Sequence, residues 1–220
     1  MQELMFPVLL LFILIAVIYL ISKHTVDVLY IVLKRTFKRD GIVFTLLSLV
    51  FFPGTLLHEL SHAFMARLLL LKVLEIKLIP EWKHKSIKLG MVTYARRDRL
   101  SSVIVGIAPI IGGICLLVWI ASLHIFPNDD WRLTLVLGYI IVVISSTMFS
   151  SKQDLVDALY ALPLLGLIVA FLYLVFASID LSFLVPIGMI YLTQINQMLL
   201  ISLGCHAVVL VMLYVFKYFL

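Results

Sequence analysis

Long apolar runs constrain this chain more than any other feature of its sequence. Only 13% of its 220 residues are charged and the mean hydropathy is +1.18, whereas about 25% of residues are charged in ordinary soluble domains. A membrane span requires about 20 consecutive, mostly apolar residues. The sequence contains six regions of this kind: Met5–Ser22, Ile42–Leu71, Ser101–Leu123, Leu133–Phe149, Leu159–Ser178 and a longer last region, Leu181–Leu220.

We therefore predict an all-α polytopic membrane protein with about six transmembrane helices, folded as one integral membrane domain over residues 1–220. The last region is too long for one crossing, and the polar stretch TQINQ at 193–197 interrupts it. We expect a helix junction there, with a short helix leading into a final span or one long broken helix. A water path lined by these polar residues is the alternative. His206 is expected to hydrogen-bond to a neighbouring helix.

The loop at residues 72–97, after the second predicted helix, has the pattern of a β-hairpin. VLEIKLI alternates apolar and polar residues, and IKLGMVTY forms a second strand-like run after the polar EWKHKS. An ordinary amphipathic connector is the alternative. The segment 72–100 also carries the largest group of Lys and Arg residues, which predicts a cytoplasmic location.

The net charge of +5 follows from the topology of such loops, and we expect no nucleic-acid partner. The segment from Lys23 to Arg39, taken as a link after the first span, is also basic and would lie on the opposite side. The orientation signals of the two loops therefore conflict.

The stretch HELSH at residues 58–62 places three ionisable groups on one turn of the second predicted helix. Ionisable side chains within a membrane are energetically costly and usually functional. His58 and His62 are four residues apart, so their rings project from one helix face and can bind one ion, with Glu59 beside it. Imidazole ligands with an open position for water suit Zn²⁺. The alternative is that the histidines only form hydrogen bonds in helix packing.

A catalytic zinc site needs a third protein ligand. The last glutamate of the chain, Glu81, lies in the polar loop just after the motif, and position 68 is leucine where a third histidine would stand in an extended zinc motif. An aspartate is therefore favoured. Asp154 and Asp157 follow the fourth predicted span, on the same side as the end of the HELSH helix, and either could provide the ligand.

The order of these features resembles the site-2 protease family of intramembrane zinc metalloproteases. The resemblance covers about residues 42–161, the three-helix catalytic core. It consists of GTLLHELSHAFMARLL, the hairpin-like loop, a span with GIAPIIGG whose small residues allow close helix packing, and SSTMFSSKQDLVDA after the fourth span. The family's third ligand lies in an Asn-x-x-Pro-x-x-x-x-Asp-Gly pattern, of which only the aspartate matches at Asp154. The resemblance implies a divergent member in which Asp154 joins His58 and His62 as zinc ligand and Glu59 activates water.

The resemblance further implies an enzyme that hydrolyses peptide bonds in or near transmembrane segments of other proteins. Its cofactor would be Zn²⁺, and its partners a transmembrane protein substrate and the lipid bilayer. We expect a prokaryotic plasma membrane location, with the active site towards the cytoplasm and additional C-terminal helices at 162–220. The alternative is a non-catalytic zinc-binding membrane protein that binds or escorts other membrane helices.

In the resembled family, the β segment after the HELSH-type helix helps to hold an extended substrate beside the zinc. A strand edge can satisfy the backbone groups of a transmembrane helix that has unwound for cleavage. We therefore expect the hairpin to be a substrate platform. The predicted substrate-binding residues are Leu74, Ile76, Leu78, Met91 and Val92.

Overall fold

The protein is a bundle of long helices with one β-hairpin. A computed structural model describes residues 2–78, 81–83, 86–88, 90–95, 98–149 and 184–219, together with separate positions between 156 and 171. The described helices are α1 (Gln2–Phe37), α2 (Asp40–Leu68), α3 (Arg99–Ser122), α4 (Trp131–Thr147) and α5 (Leu184–Phe219). The described strands are β1 (Val73–Lys77), β2 (Glu81–Lys83), β3 (Ser86–Lys88) and β4 (Met91–Tyr94).

Four described helices, α1, α2, α3 and α5, are long and apolar enough to cross a membrane. The shortest of them, α3, has 24 residues, which makes it about 36 Å long against a hydrocarbon core of about 30 Å. Helix α4 has only 17 residues, or about 25 Å. The C-terminal end of α4 lies beside the interior of α2 and not at its end, because the carbonyl oxygen of Thr147 contacts His58, ten residues before the end of α2.

Two predicted boundaries are wrong. The first span does not end at Ser22, because α1 continues as one helix to Phe37 and includes most of the supposed basic link. The polar stretch 193–197 does not interrupt the last region, since α5 runs through it. Its Asn196 is buried, and its Nδ2 donates a hydrogen bond to the carbonyl oxygen of Pro7 in α1 at 2.9 Å. A polar residue in an apolar run here marks a helix contact.

Buried polar contacts set the direction of α5. Asn196 contacts Pro7, and Nδ1 of His206 lies 3.1 Å from Oγ1 of Thr25, so α5 runs parallel to α1. Nε2 of His206 also lies 3.0 Å from Oγ of Ser145 in α4, which confirms the predicted hydrogen bond to a neighbouring helix.

The predicted fifth span, 159–178, lies largely outside the described residues.

Helices α1 and α2 are joined by a tight turn at Lys38 and Arg39 and pack antiparallel, with the Tyr30 and Phe44 rings 5.8 Å apart. Because α5 runs parallel to α1, the C-terminal ends of α2 and α5 lie on opposite sides of the bundle.

Glycines bring α2 close to its neighbours. A Cβ atom on Gly54 of α2 would lie 2.8 Å from the carbonyl oxygen of Val143 in α4, well inside van der Waals contact. A Cβ atom on Gly112 of α3 would lie 2.5 Å from Oγ of Ser61 in α2. The close helix approach predicted from GIAPIIGG is confirmed at Gly112. Together these contacts place backbone groups of α3 and α4 against the face of α2 that carries the histidines.

The predicted hairpin after α2 is present, with more pairing than expected. Strand β1 pairs antiparallel with β4, and β2 pairs antiparallel with β3. EWKHKS was predicted to separate the strands, but EWK itself pairs with SIK, so strand pairing extends into the stretch that was predicted to be a connection. Val73 and Tyr94 at the base of the hairpin pack on a cluster of Ala66, Leu71 and Val105. The hairpin is thereby joined to α2 and α3.

Candidate metal centre

The two histidines of HELSH meet at their Nε2 atoms. His58 and His62 lie one turn apart on α2, and their ring planes are nearly perpendicular, at 86°, with centroids 4.7 Å apart. The distance between the two Nε2 atoms is 3.1 Å. His58 is buried, with 4% of its surface exposed, and His62 is partly buried. The spacing of four residues thus brings two imidazole nitrogens to a common point, as the sequence predicted.

The other nitrogen of each ring contacts a backbone carbonyl of a different helix. Nδ1 of His58 lies 2.8 Å from the carbonyl oxygen of Thr147 at the end of α4. Nδ1 of His62 lies 2.9 Å from the carbonyl oxygen of Val105 in α3. A carbonyl oxygen can only accept, so each Nδ1 must carry the hydrogen and donate it. In a neutral ring, Nε2 then has a lone pair, and the two Nε2 lone pairs point into the same small space.

This arrangement fits a metal ion such as zinc. Two nitrogens bound to tetrahedral Zn²⁺ at about 2.0–2.1 Å are separated by about 3.3 Å, close to the observed 3.1 Å. Metal-binding histidines commonly donate their other N–H to a carbonyl or carboxylate, which fixes the tautomer and ring orientation. A second proton on one ring would also account for the distance, through a hydrogen bond between the two nitrogens. Measurement of metal binding distinguishes these two states.

Glu59 lies beside the histidine pair and contacts the hairpin. A Cβ atom on Gly90, the residue before β4, would lie 2.5 Å from Cγ of Glu59 and 2.8 Å from its Oε1. The backbone at Gly90 therefore rests directly on the Glu59 side chain, which is partly buried. A Cβ atom at this position would require either the Glu59 side chain or the hairpin to move.

The third zinc ligand was predicted to be an aspartate that follows the fourth span. Asp154 and its alternative Asp157 both lie outside the described residues. Within the part of the chain that is described, no group of three or more His, Cys, Asp or Glu side chains forms a metal site. The assignment of the third ligand therefore stays a prediction.

The predicted substrate-binding residues occupy both arms of the hairpin. Ile76 is opposite Val92, and Met91 is opposite Lys77, while Leu78 directly follows β1. Leu74 differs from the regular alternation that was predicted, because a register shift between Val73 and Glu75 leaves it without an opposite residue in β4. Its side chain is 58% exposed. A role of these five residues in substrate binding stays a prediction.

Some residues around the site were not found by sequence reasoning. Val105 and Thr147 contribute carbonyl oxygens, and a backbone group has no residue-type signature. Gly90 did have a signal, since an isolated glycine within a strand-like run often marks the close approach of another group. The element of the fold that would approach Gly90 could not be identified from that signal.

Compared with known proteins, the chain matches no family model, no curated protein and no solved structure. The functional assignment therefore depends on the residues of the site and their geometry.

Proposed function

We propose that this protein is a polytopic membrane metalloprotease of the site-2 protease kind, which hydrolyses peptide bonds in or near transmembrane segments of other proteins. The observation that carries the proposal is the convergence of the two imidazole Nε2 atoms at 3.1 Å on one face of an apolar helix. Glu59 is the residue next to His58 on that helix. Two imidazoles that each face a carbonyl acceptor at Nδ1, with an adjacent carboxylate, supply two ligands and a general base for a hydrolytic zinc site.

His58 and His62 would hold the zinc through Nε2. Bound zinc would supply the Lewis acidity that polarises the scissile carbonyl and makes water a nucleophile near neutral pH. Glu59 takes a proton from the attacking water on a carboxylate oxygen and passes it to the leaving amine as the C–N bond breaks. The overall reaction adds one water molecule and yields a carboxylate and an amine.

Asp154 is the proposed third ligand. Thr147, whose carbonyl oxygen is 2.8 Å from Nδ1 of His58, precedes Asp154 by seven residues in the chain. Seven residues span at most about 25 Å when fully extended and less in any other conformation. Chain connectivity therefore allows this carboxylate to reach the histidines, whereas the aspartates of the α3–α4 loop follow the opposite end of α3.

The hairpin is the proposed platform for an extended substrate. A transmembrane helix must unwind to expose a peptide bond, and the free edge of a short sheet can accept the released backbone groups. The contact between Gly90 and Glu59 supports this role, since it joins the start of β4 to the catalytic carboxylate. Ile76, Met91 and Val92 would then contact the side chains of the bound segment.

The protein would span the membrane with the metal centre nearer the hairpin side. His58 is ten residues and His62 six residues before the end of α2 at Leu68, or about 15 Å and 9 Å along the helix axis. The basic residues of the loop that contains the hairpin favour the cytoplasm for this side.

The substitution Glu59→Gln tests the proposal. The purified protein would be reconstituted with zinc and assayed on a library of fluorescent single-span peptides in vesicles. We expect Glu59→Gln to bind zinc in the same amount as wild type and to lose at least about 100-fold in cleavage rate, the lower range for removal of a general base. Asp129→Asn, at an exposed carboxylate in the loop between α3 and α4, is the matched control and should cleave like wild type.

Two results would contradict the proposal. Cleavage at the wild-type rate by Glu59→Gln would remove this residue from the mechanism. Stoichiometric zinc binding without cleavage of any peptide would favour a non-catalytic zinc-binding protein that binds other membrane helices.

A further inference from the structure

The acceptor of His62 lies four residues before a proline. In an α-helix, the carbonyl of residue i accepts the N–H of residue i+4. The residue four positions after Val105 is Pro109, which has no N–H. The intrahelical bond to the Val105 carbonyl therefore cannot form, and this same oxygen is the one that lies 2.9 Å from Nδ1 of His62.

The proline ring also determines where this carbonyl points. Inside a helix, the ring of a proline clashes with the carbonyl of residue i−4 and pushes it away from the helix axis. Pro109 is fully buried within α3, so the displaced carbonyl is directed towards protein and not towards solvent. His62 on α2 donates its Nδ1–H to this carbonyl in place of the missing backbone N–H.

His58 uses a carbonyl released by a different cause. The last four carbonyls of a helix have no N–H partner within that helix, and Thr147 is the last residue of α4. Because α4 is short, this helix end lies beside His58. Both imidazoles thus donate Nδ1–H to backbone carbonyls that have no i+4 N–H partner within α3 or α4. One carbonyl lies at a helix end, and the other lies four residues before a proline.

We propose that Pro109 is a positioning residue of the metal centre: by lacking an N–H, it releases the Val105 carbonyl to hold His62 in the tautomer that directs Nε2 towards the ion. The inference rests on the proposed zinc site. It adds the reason that one of the ligands, His62, is held in the correct tautomer. Partners of metal-binding histidines typically contribute about 10- to 100-fold to metal affinity.

A pair of substitutions isolates the effect of the N–H. Pro109→Ala restores an amide that competes for the Val105 carbonyl, and we expect the zinc affinity to fall by about 10- to 100-fold. Replacement of Pro109 by lactic acid, the hydroxy-acid counterpart of alanine, has the same methyl group but no N–H. This variant should retain the wild-type zinc affinity within about 3-fold, because the carbonyl stays available to His62. Affinity would be measured by competition with a zinc chelator.

Thermal stability is a second readout. If Pro109 acted only through packing, its replacement would lower thermal stability and zinc affinity together. Alanine is a far better residue than proline inside a helix, so the melting temperature of metal-free Pro109→Ala should equal or exceed that of wild type while its zinc affinity falls. Pro7→Ala, at the proline inside α1, is the control and should leave zinc affinity unchanged. Equal zinc affinity in Pro109→Ala and wild type, or equal loss in the alanine and lactic-acid variants, would overturn the inference.

The ring nitrogens of His62 separate this inference from the proposed function. In metal-free protein, ¹⁵N chemical shifts of its imidazole should show the hydrogen on Nδ1 in wild type and a mixture of tautomers in Pro109→Ala. If wild type binds no zinc, the proposed function fails, and the tautomer of His62 still decides the role of Pro109. The same tautomer in both proteins would overturn that role.

Discussion

Replacement of Gly90 by alanine tests whether the hairpin holds Glu59 in position. The added Cβ atom would lie 2.5 Å from Cγ, 2.9 Å from Cδ and 2.8 Å from Oε1 of Glu59. Non-bonded carbon atoms normally approach to about 3.5–4.0 Å, so the hairpin and the glutamate must separate by about 1 Å. Either the hairpin lifts from α2 or the carboxylate turns away from the histidines.

Both responses would reduce catalysis without removal of the metal ligands. A displacement of about 1 Å in a catalytic group can reduce the rate by about 100-fold. We therefore expect Gly90→Ala to cleave single-span peptides about 100-fold more slowly than wild type, with an unchanged zinc content by mass spectrometry. Hydrogen exchange of the β4 amides should be faster if the hairpin lifts and unchanged if only Glu59 turns.

Gly204→Ala is the matched control for this substitution. Gly204 lies in α5, and a Cβ atom there would meet nothing within 4 Å. This variant should cleave like wild type, and its stability should rise by about 0.5–1 kcal/mol, because alanine is favoured over glycine in a helix. Wild-type cleavage by Gly90→Ala would show that Glu59 does not depend on the hairpin contact and would refute the reasoning.

Two further predictions concern α5. His206→Ala removes the buried contacts of His206 with Thr25 and Ser145 and should lower the free energy of unfolding by about 2 kcal/mol through lost hydrogen bonds and a cavity. Tyr214→Phe, which removes only an exposed contact with His24, should change it by less than about 1 kcal/mol; equal thermal stability of the two variants would contradict this. In a protein without native cysteines, an impermeant maleimide should label cysteines at Glu75 and Lys217 from opposite membrane faces, and labelling from one face would contradict the parallel packing of α1 and α5.

Much of the site was predictable because its key side chains are local in sequence. The spacing of His58 and His62 places both rings on one face of any α-helix, and the uncharged run before them predicts that the helix is apolar. The hairpin was predictable for a similar reason, since alternation with period two is a property of a short segment. Its turn was misplaced because cross-strand pairing of EWK with SIK outweighs the polar composition of that stretch.

The sequence by itself determined that two histidines share one helix face and which segments form apolar helices, because both depend on the periodicity of neighbouring residues. Only the tertiary structure decided how the histidines are held. Their acceptors are the carbonyls of Thr147 and Val105, which come from two other helices and have no side-chain signature. The direction of α5 was likewise decided by the pairing of Asn196 and His206 with α1, since hydropathy reports the length of a helix and not the partner that satisfies its polar groups.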